Sequence, residues 1–373
     1  MRILIDCRVL DRVITGTGRY LYNILNELPK YDKINEYFLV SSKNLKLDES
    51  FYSIITFRET FLPTKIYSPI WLNFKLPKII RAYKIDILFS PNILVPLVDL
   101  SKTKCISVVH DIIPKIHKEF YPFFYRIYLS LFLPFSLKKS NKIITVSHQS
   151  KNDIIEFYNI PSKKIEVAYN TASNLFSPER PNTQDLDTFN KKFSLPKKFL
   201  LYVGVIEIRK NILGLIKILD IIREKGSTLE LIIVGKPGYG YGKIKQQIEK
   251  RSNYIKHFNY LNDLELVKLY KTAFAFVFPS FYEGFGIPPL EAMQSGIPVL
   301  SSNTSALVEV VGKGGLLHNP DDYHSFANDI LKLENDINFY NMMQSKALEQ
   351  AKKFTISQTT QKIVDLFNQI ILE

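Results

Sequence analysis

The sequence predicts an α/β protein of two doubly wound, Rossmann-like domains facing each other across a cleft. Three observations carry that expectation. At 373 residues the chain exceeds the size at which a single hydrophobic core stops growing. Short apolar runs alternate with amphipathic segments from end to end, lapse once between Thr171 and Lys198, and then restart. Hydrophobic residues at 46% and charged residues at 23% describe an ordinary globular chain.

The elements follow in order. Arg2–Asp6, Tyr37–Ser41, Asp86–Ser90, Lys104–His110, Lys142–Val146 and Lys164–Ala168 read as strands of the first domain. They are short and apolar without clean alternation, as parallel strands covered on both faces are. Leu21, Ile24, Leu25 and Leu28 make one helical stripe, and Pro29 is expected to end that helix. Pro178, Pro181, Pro196 and the polar run Asn182–Asp187 mark a linker. Phe199–Gly204, Leu229–Gly235, Tyr254–Phe258, Phe274–Pro279 and Pro298–Ser301 are the strands of the second domain. Ile363, Phe367, Ile370 and Ile371 then recur at helical spacing. The expected division is residues 1–178, a linker at 179–198, residues 199–354, and a C-terminal helix at 355–373 packing back on the first domain.

Charge and composition narrow the function classes. Residues 1–178 carry 25 Lys and Arg against 15 Asp and Glu, so +10 of the net +13 lies in the first domain. That excess suits an anionic partner, a phosphate or an anionic lipid surface. No nucleic-acid docking module accompanies it. Met1 leads directly into a strand, without a secretory h-region, and the most apolar run, Ile127 to Leu137, is too short to span a bilayer. Phe120 to Leu137, flanked by Lys138 and Lys139, reads either as a helix resting on lipid or as a buried helix. Two cysteines, Cys7 and Cys105, build neither a disulfide framework nor a zinc site and read as reduced thiols of a cytoplasmic protein. Asp185-Leu186-Asp187 lies in the linker and reads as solvated chain rather than a metal motif.

The chemistry concentrates in two places. From Phe278 to Met293 a strand ends, a loop bearing Glu283, Gly284, Phe285 and Gly286 follows, and a helix opens at Pro288-Pro289. A helix N-terminus there would offer N–H groups to phosphate or sugar oxygens, and Glu291 in its first turn is a carboxylate able to accept from vicinal hydroxyls. From Tyr202 to Asn211 a strand passes through Gly204 into a loop bearing Arg209 and Lys210, cations placed to stabilise a diphosphate leaving group. Gly235, Gly238, Gly240 and Gly242 read as a flexible turn. In the first domain Gly16-Thr17-Gly18-Arg19-Tyr20 opens a helix, and His110-Asp111 follows a buried strand.

Together these residues resemble family four of the glycosyltransferases, the retaining GT-B family that includes bacterial mannosyl- and rhamnosyltransferases and sucrose synthase. The resemblance covers nearly the whole chain and is strongest from Tyr202 to Pro320, with Gly16–Tyr20, His110-Asp111, Thr145–Ser147 and Tyr169-Asn170 matching in the first half. It implies an acceptor-binding first domain and a nucleotide-sugar-binding second domain. It further implies that Arg209 and Lys210 hold the donor diphosphate, Glu291 the ribose, and Glu283 with the backbone of Gly284, Phe285 and Gly286 the sugar. Gly16 and Gly204 then lie near the donor, Gly18, Arg19 and Tyr20 on the acceptor side, and His110 with Asp111 near the transferred group. The implied reaction retains anomeric configuration and uses neither metal nor cofactor. GDP-mannose is the first donor suggested, with UDP- and dTDP-sugars open, and the acceptor is a glycan or a polyprenyl-diphosphate-linked sugar at the inner face of the cytoplasmic membrane. One departure stands out: many relatives carry Arg directly after the strand glycine, where this chain has Val205. A nucleotide-sugar epimerase, a disaccharide phosphorylase or a catalytically inactive sugar-binding subunit are the rival readings.

Overall fold

The computed structural model describes residues 1–11, 16–45, 47–57, 68–179 and 182–371. The chain divides into two compact units, one formed by Met1–Lys118, Phe123–Thr171 and Thr355–Glu373, the other by Glu119–Pro122 and Ala172–Phe354.

The first unit is built on a parallel sheet of β1 (Arg2–Asp6), β2 (Glu36–Ser41), β3 (Tyr52–Thr56), β4 (Ile87–Ser90), β5 (Lys104–Val108), β6 (Lys142–Thr145) and β7 (Ile165–Val167), in the order β3-β2-β1-β4-β5-β6-β7. Its strands are buried along nearly their whole length, which is why their sequences run apolar without alternation. β3 escapes the sequence reading because it is an edge strand with its outer residues in solvent. Helix α1 (Gly16–Tyr31) buries Tyr20, Leu21, Ile24, Leu25 and Leu28. Pro29 does not end it. Proline removes one helical N–H, and the carbonyl left without that donor, Leu25, accepts instead from the Tyr52 hydroxyl at 2.6 Å. Helices α2 (Leu76–Ala82), α3 (Ile113–Ile116), α4 (Phe123–Lys139) and α5 (His148–Tyr158) complete the layers of this part.

The second unit carries β8 (Phe199–Val203), β9 (Glu230–Val234), β10 (Ile255–Phe258), β11 (Ala275–Phe278), β12 (Val299–Ser302) and β13 (Leu316–His318), in the order β10-β9-β8-β11-β12-β13. The stretch 179–198 is not plain linker. It contains α6 (Thr183–Lys192), capped by the Asn182 side chain and anchored through buried Phe189. The second unit accordingly starts at Ala172 rather than after 198. Helices α7 (Ile212–Glu224), α8 (Tyr241–Glu249), α9 (Asp263–Thr272), α10 (Ile287–Gln294), α11 (Leu307–Val311), α12 (Tyr323–Asn335) and α13 (Ile337–Ala351) cover this sheet. The last helix, α14 (Ile356–Ile370), belongs to the first unit, where Phe367 lies edge-on to Phe89 at 5.5 Å and the Thr359 hydroxyl donates to the Tyr169 carbonyl at 2.8 Å.

Both thiols, Cys7 and Cys105, are free and buried. Among the described residues no helix is long and apolar enough to cross a membrane.

Candidate active site

In each sheet the strand order reverses once, between β1 and β4 and between β8 and β11. Such a reversal splays the following loops apart and opens a crevice at the carboxyl ends of the strands. In the second unit the two segments singled out by sequence, after β8 and after β11, leave their strands at that crevice.

The loop after β8 is held by its neighbour. Gly204, at φ +150°, donates its N–H to Val234 at 2.9 Å; Ile206 donates to Lys236 at 2.9 Å, and Gly238 returns a bond to Ile206 at 2.9 Å. A Cβ on Gly235 would stand 1.8 Å from the Gly204 carbonyl oxygen, and one on Gly238 would stand 2.5 Å from Val205. Gly235 and Gly238 therefore form a seat for the cation-bearing loop, not a flexible turn. A short 3₁₀ turn (Ile208–Lys210) ends at Asn211, whose left-handed backbone (φ 54°) starts α7 while its side chain accepts from Gly214.

The two loops then meet in one buried ionic cluster. Glu283, 7% exposed, lies 2.5 Å from the Lys210 ammonium and 3.0 Å from the Arg209 guanidinium, and accepts from the Ser280 hydroxyl at 2.6 Å. Arg209 also donates to Glu207 at 2.7 Å and to the Tyr282 carbonyl. The Phe281 N–H donates to the Arg209 carbonyl at 2.9 Å, and the Glu283 N–H to the Ser305 hydroxyl at 2.9 Å. Burial alone would raise the Glu283 pKa, but the adjacent Arg209 and Lys210 charges outweigh it and hold the carboxyl at about 2. Burial, with repulsion from Arg209, pushes the Lys210 ammonium below its ordinary value. Two carboxylates thus face two cations, all four side chains less than a fifth exposed.

Helix α10 opens at Gly286, whose φ of +116° only glycine adopts without strain. The expectation of a row of free N–H groups at its start needs correction. Pro288 and Pro289 have none, and the Leu290 N–H is turned to the Gly286 carbonyl at 3.3 Å. The helix end offers its dipole and few donors. The Phe285 ring packs edge-on against Phe354 at 5.6 Å, so what this residue presents in the loop is its backbone, as the sequence reading has it. Glu291 is buried at 4% and accepts from the Tyr270 hydroxyl at 3.0 Å. That bond orients the carboxylate from behind.

In the first unit, His110 follows β5 and lies edge-on to Tyr20 of α1, ring centroids 5.2 Å apart. The structure thus brings together two of the predicted residues that are 90 positions apart in the chain. The His110 carbonyl accepts from the Ser150 hydroxyl at 2.8 Å, and Ser150 is held by Ser147, the N-cap of α5. Burial lowers the His110 pKa to about 4, so the imidazole is neutral at physiological pH. Asp111 accepts from the Ile113 N–H at 3.1 Å and so begins α3. Gly16 is exposed, Gly18 buried and Arg19 half-buried along the first turn of α1.

Sequence reasoning missed Glu207, Ser280, Ser305, Tyr270 and Ser150. Glu207 stands two residues before Arg209 and Ser280 three before Glu283, spacings visible in the chain. Ser305, Tyr270 and Ser150 reach their partners only through the fold.

Comparison with known proteins follows the same division. Residues 14–172 match the family described as Glycosyltransferase Family 4, and residues 184–350 the one described as Glycosyl transferases group 1. The chain is 32% identical over 291 residues to O-antigen chain mannosyltransferase B of Escherichia coli, covering 77% of this chain and 75% of that protein. It is 30% identical over 285 residues to the serotype-specific mannosyltransferase WbdA of Escherichia coli, of which it spans 34%. Among solved structures, Anabaena HepE in complex with UDP and glucose superposes with a TM-score of 0.75 at 18% identity, over 99% of this chain and 100% of that one.

Proposed function

The chain belongs to family four of the glycosyltransferases and has the GT-B fold, and from that premise we propose that it is a retaining, metal-independent hexosyltransferase of surface polysaccharide synthesis. The donor in this reading is GDP-mannose, the sugar being suggested by the mannosyltransferase names of its relatives. The acceptor is a glycan or a polyprenyl-diphosphate-linked sugar.

The observation that carries the reading is the cluster at the β8/β11 crevice, where Arg209 and Lys210 are gathered with Glu283. Their charge takes the role a metal plays elsewhere, stabilising the diphosphate as it leaves. Val205 leaves that duty to these two side chains. Glu283 and the backbone of Gly284 to Gly286 hold the hexose, and Glu291, oriented by Tyr270, accepts from the ribose hydroxyls. Gly16 and Gly204 approach the donor phosphates. In the first unit neutral His110 serves the transferred sugar, Asp111 fixes its loop, and Gly18, Arg19 and Tyr20 serve the acceptor. The bond from the anomeric carbon to the leaving phosphate breaks as the bond to the acceptor oxygen forms on the same face, and the acceptor proton passes to a phosphate oxygen. No protein nucleophile is required.

Helix α4 supports association with the inner face of the cytoplasmic membrane. Its inner face buries Leu129, Leu133 and Leu137, while Phe123, Phe124, Ile127, Leu131 and Phe135 are exposed, Phe124 at 81%, with Lys138 exposed at its end. Bulky apolar side chains flanked by cations suit an anionic interface. The Lys138→Glu/Lys139→Glu variant should lose partitioning into anionic liposomes; unchanged partitioning removes this part of the reading.

A thermal-shift series with GDP, UDP, dTDP, ADP and CDP in excess EDTA tests the donor site. A nucleotide at 100 times its dissociation constant stabilises by about 2.7 kcal/mol. Stabilisation of the wild type, lost in Glu291→Ala, supports the assignment. Absence of any response, with or without magnesium, would favour an inactive subunit instead.

A further inference from the structure

The first unit has a crevice of its own, where β1 and β4 part, and sequence reasoning singled out Gly16 to Tyr20 after β1 but not the turn before them. The side chain at that point is Arg8, in the turn that follows β1. Its Nε and one Nη donate side-on to Asp6 at 2.8 and 2.7 Å, and Asp6 is fully buried. The guanidinium lies over the ring of Trp71, 3.9 Å from its centroid, and donates to the Ser68 hydroxyl at 3.3 Å. Trp71 is itself fully buried and opens a π-helical turn (Trp71–Lys75) closed by the Leu76 N–H on the Trp71 carbonyl, a wide turn that recurs at functional sites.

This arrangement costs more than packing needs. A buried ion pair is a poor source of stability compared with apolar residues of the same volume. It does, however, fix a guanidinium rigidly. Of its five N–H groups, three are engaged by Asp6 and Ser68, and among the described residues the other two, one on each Nη, have no acceptor. The side chain is 14% exposed. The Arg8–Asp6 pair carries no net charge, so it attracts a phosphate weakly, and its two remaining N–H donors suit the acceptor oxygens of a hydroxyl-rich, uncharged ligand. Tyr128, from the inner side of α4, lies near enough for the Arg8 charge to act on its hydroxyl.

We propose that Arg8, held by Asp6 over Trp71, is an acceptor-binding residue that takes two hydroxyl oxygens of the acceptor sugar. The proposal rests on the glycosyltransferase reading for the identity of the ligand, but Arg8, Asp6 and Trp71 are not among the residues assigned to the donor. The chain contains a single tryptophan, Trp71, so its fluorescence reports on the Arg8 site directly.

The test is a titration of the full chain with mannotriose, read by Trp71 fluorescence, in wild type and in Arg8→Lys, which keeps a cation beside Asp6. The expected result is a saturable change in wild type whose midpoint rises about tenfold or more in the variant, the loss of a hydrogen bond from a charged donor. Stabilisation by GDP, measured by thermal shift on the same samples, should be equal in both. If Arg8→Lys does not fold, Asp6→Asn/Arg8→Gln keeps the pair neutral and should give the same loss. No saturable change in wild type, an equal midpoint in the variant, or a response to inorganic pyrophosphate in place of mannotriose overturns the proposal. A chain that no nucleotide stabilises but whose Trp71 still answers mannotriose through Arg8 would instead overturn the donor assignment and leave Arg8 standing.

Discussion

Replacing Glu283 with Gln removes one charge and almost no volume from the middle of the ionic cluster. In the folded protein the carboxyl sits at about 2 instead of 4.5, against the burial that would raise it, because Arg209 is 3.0 Å and Lys210 2.5 Å away. That displacement corresponds to ~3 kcal/mol of folding stability at neutral pH. The carboxyl's folded pKa is depressed, so the contribution is present above about pH 4.5 and disappears as the pH falls through 2. Glu283→Gln removes it at all pH values and leaves Arg209 paired with Glu207 while Lys210 loses the carboxylate 2.5 Å away. For a unit of this size the loss should lower the melting temperature by roughly 6–12 °C at pH 7. Differential scanning calorimetry at pH 7 and pH 3 measures it, and the gap between variant and wild type should narrow on the acid side. The same substitution frees Arg209 and Lys210 from their carboxylate. GDP should therefore stabilise the variant at least as much as the wild type, while sugar transfer falls. A variant that melts within about 2 °C of wild type at pH 7 refutes the electrostatic account. One that loses GDP binding along with stability refutes the placement of the diphosphate on these cations.

Gly235→Ala should lower the urea midpoint by about 1–3 kcal/mol of stability and abolish stabilisation by nucleotide, because its Cβ would lie 1.8 Å from the Gly204 backbone and displace the cation loop. Tyr270→Phe should weaken nucleotide binding with a cost near 1 kcal/mol in calorimetric titration, since Glu291 loses the donor at 3.0 Å that orients it. His110 stays neutral down to about pH 4, so the transfer rate should show no imidazole titration between pH 5 and 7. Folding stability should nevertheless fall as pH drops from 6.5 toward 4, where the unfolded chain takes a proton the buried ring refuses, and urea midpoints of His110→Gln should fall less over that range.

Much of the site was legible in the chain because its chemistry is local. Arg209 and Lys210 are adjacent, Glu283 to Gly286 are consecutive, and each group follows a strand whose burial shows as an unbroken apolar run. What failed to show was pairing. Nothing in the residues around Lys210 says that its partner lies 73 positions on, or that Tyr270 stands behind Glu291. Pro29 and the stretch 179–198 misled for a related reason. A proline reads as a helix end unless a distant hydroxyl such as that of Tyr52 takes the released carbonyl, and polar periodicity hides a helix anchored mainly by Phe189.

By itself the sequence determined the two doubly wound units, the succession of most strands, and the loops that carry the cations and carboxylates. Periodicity and chain punctuation are properties of neighbours along the backbone, and they survive without a fold. The tertiary structure alone decided that Arg209, Lys210 and Glu283 form one buried cluster, that Phe285 belongs to the core, and that Gly235 seats the Gly204 loop. It alone decided that Arg8 is fixed between Asp6 and Trp71. Those outcomes depend on strand order: the reversals between β1 and β4 and between β8 and β11 choose which loops meet, and strand order is set by packing between segments far apart in the chain.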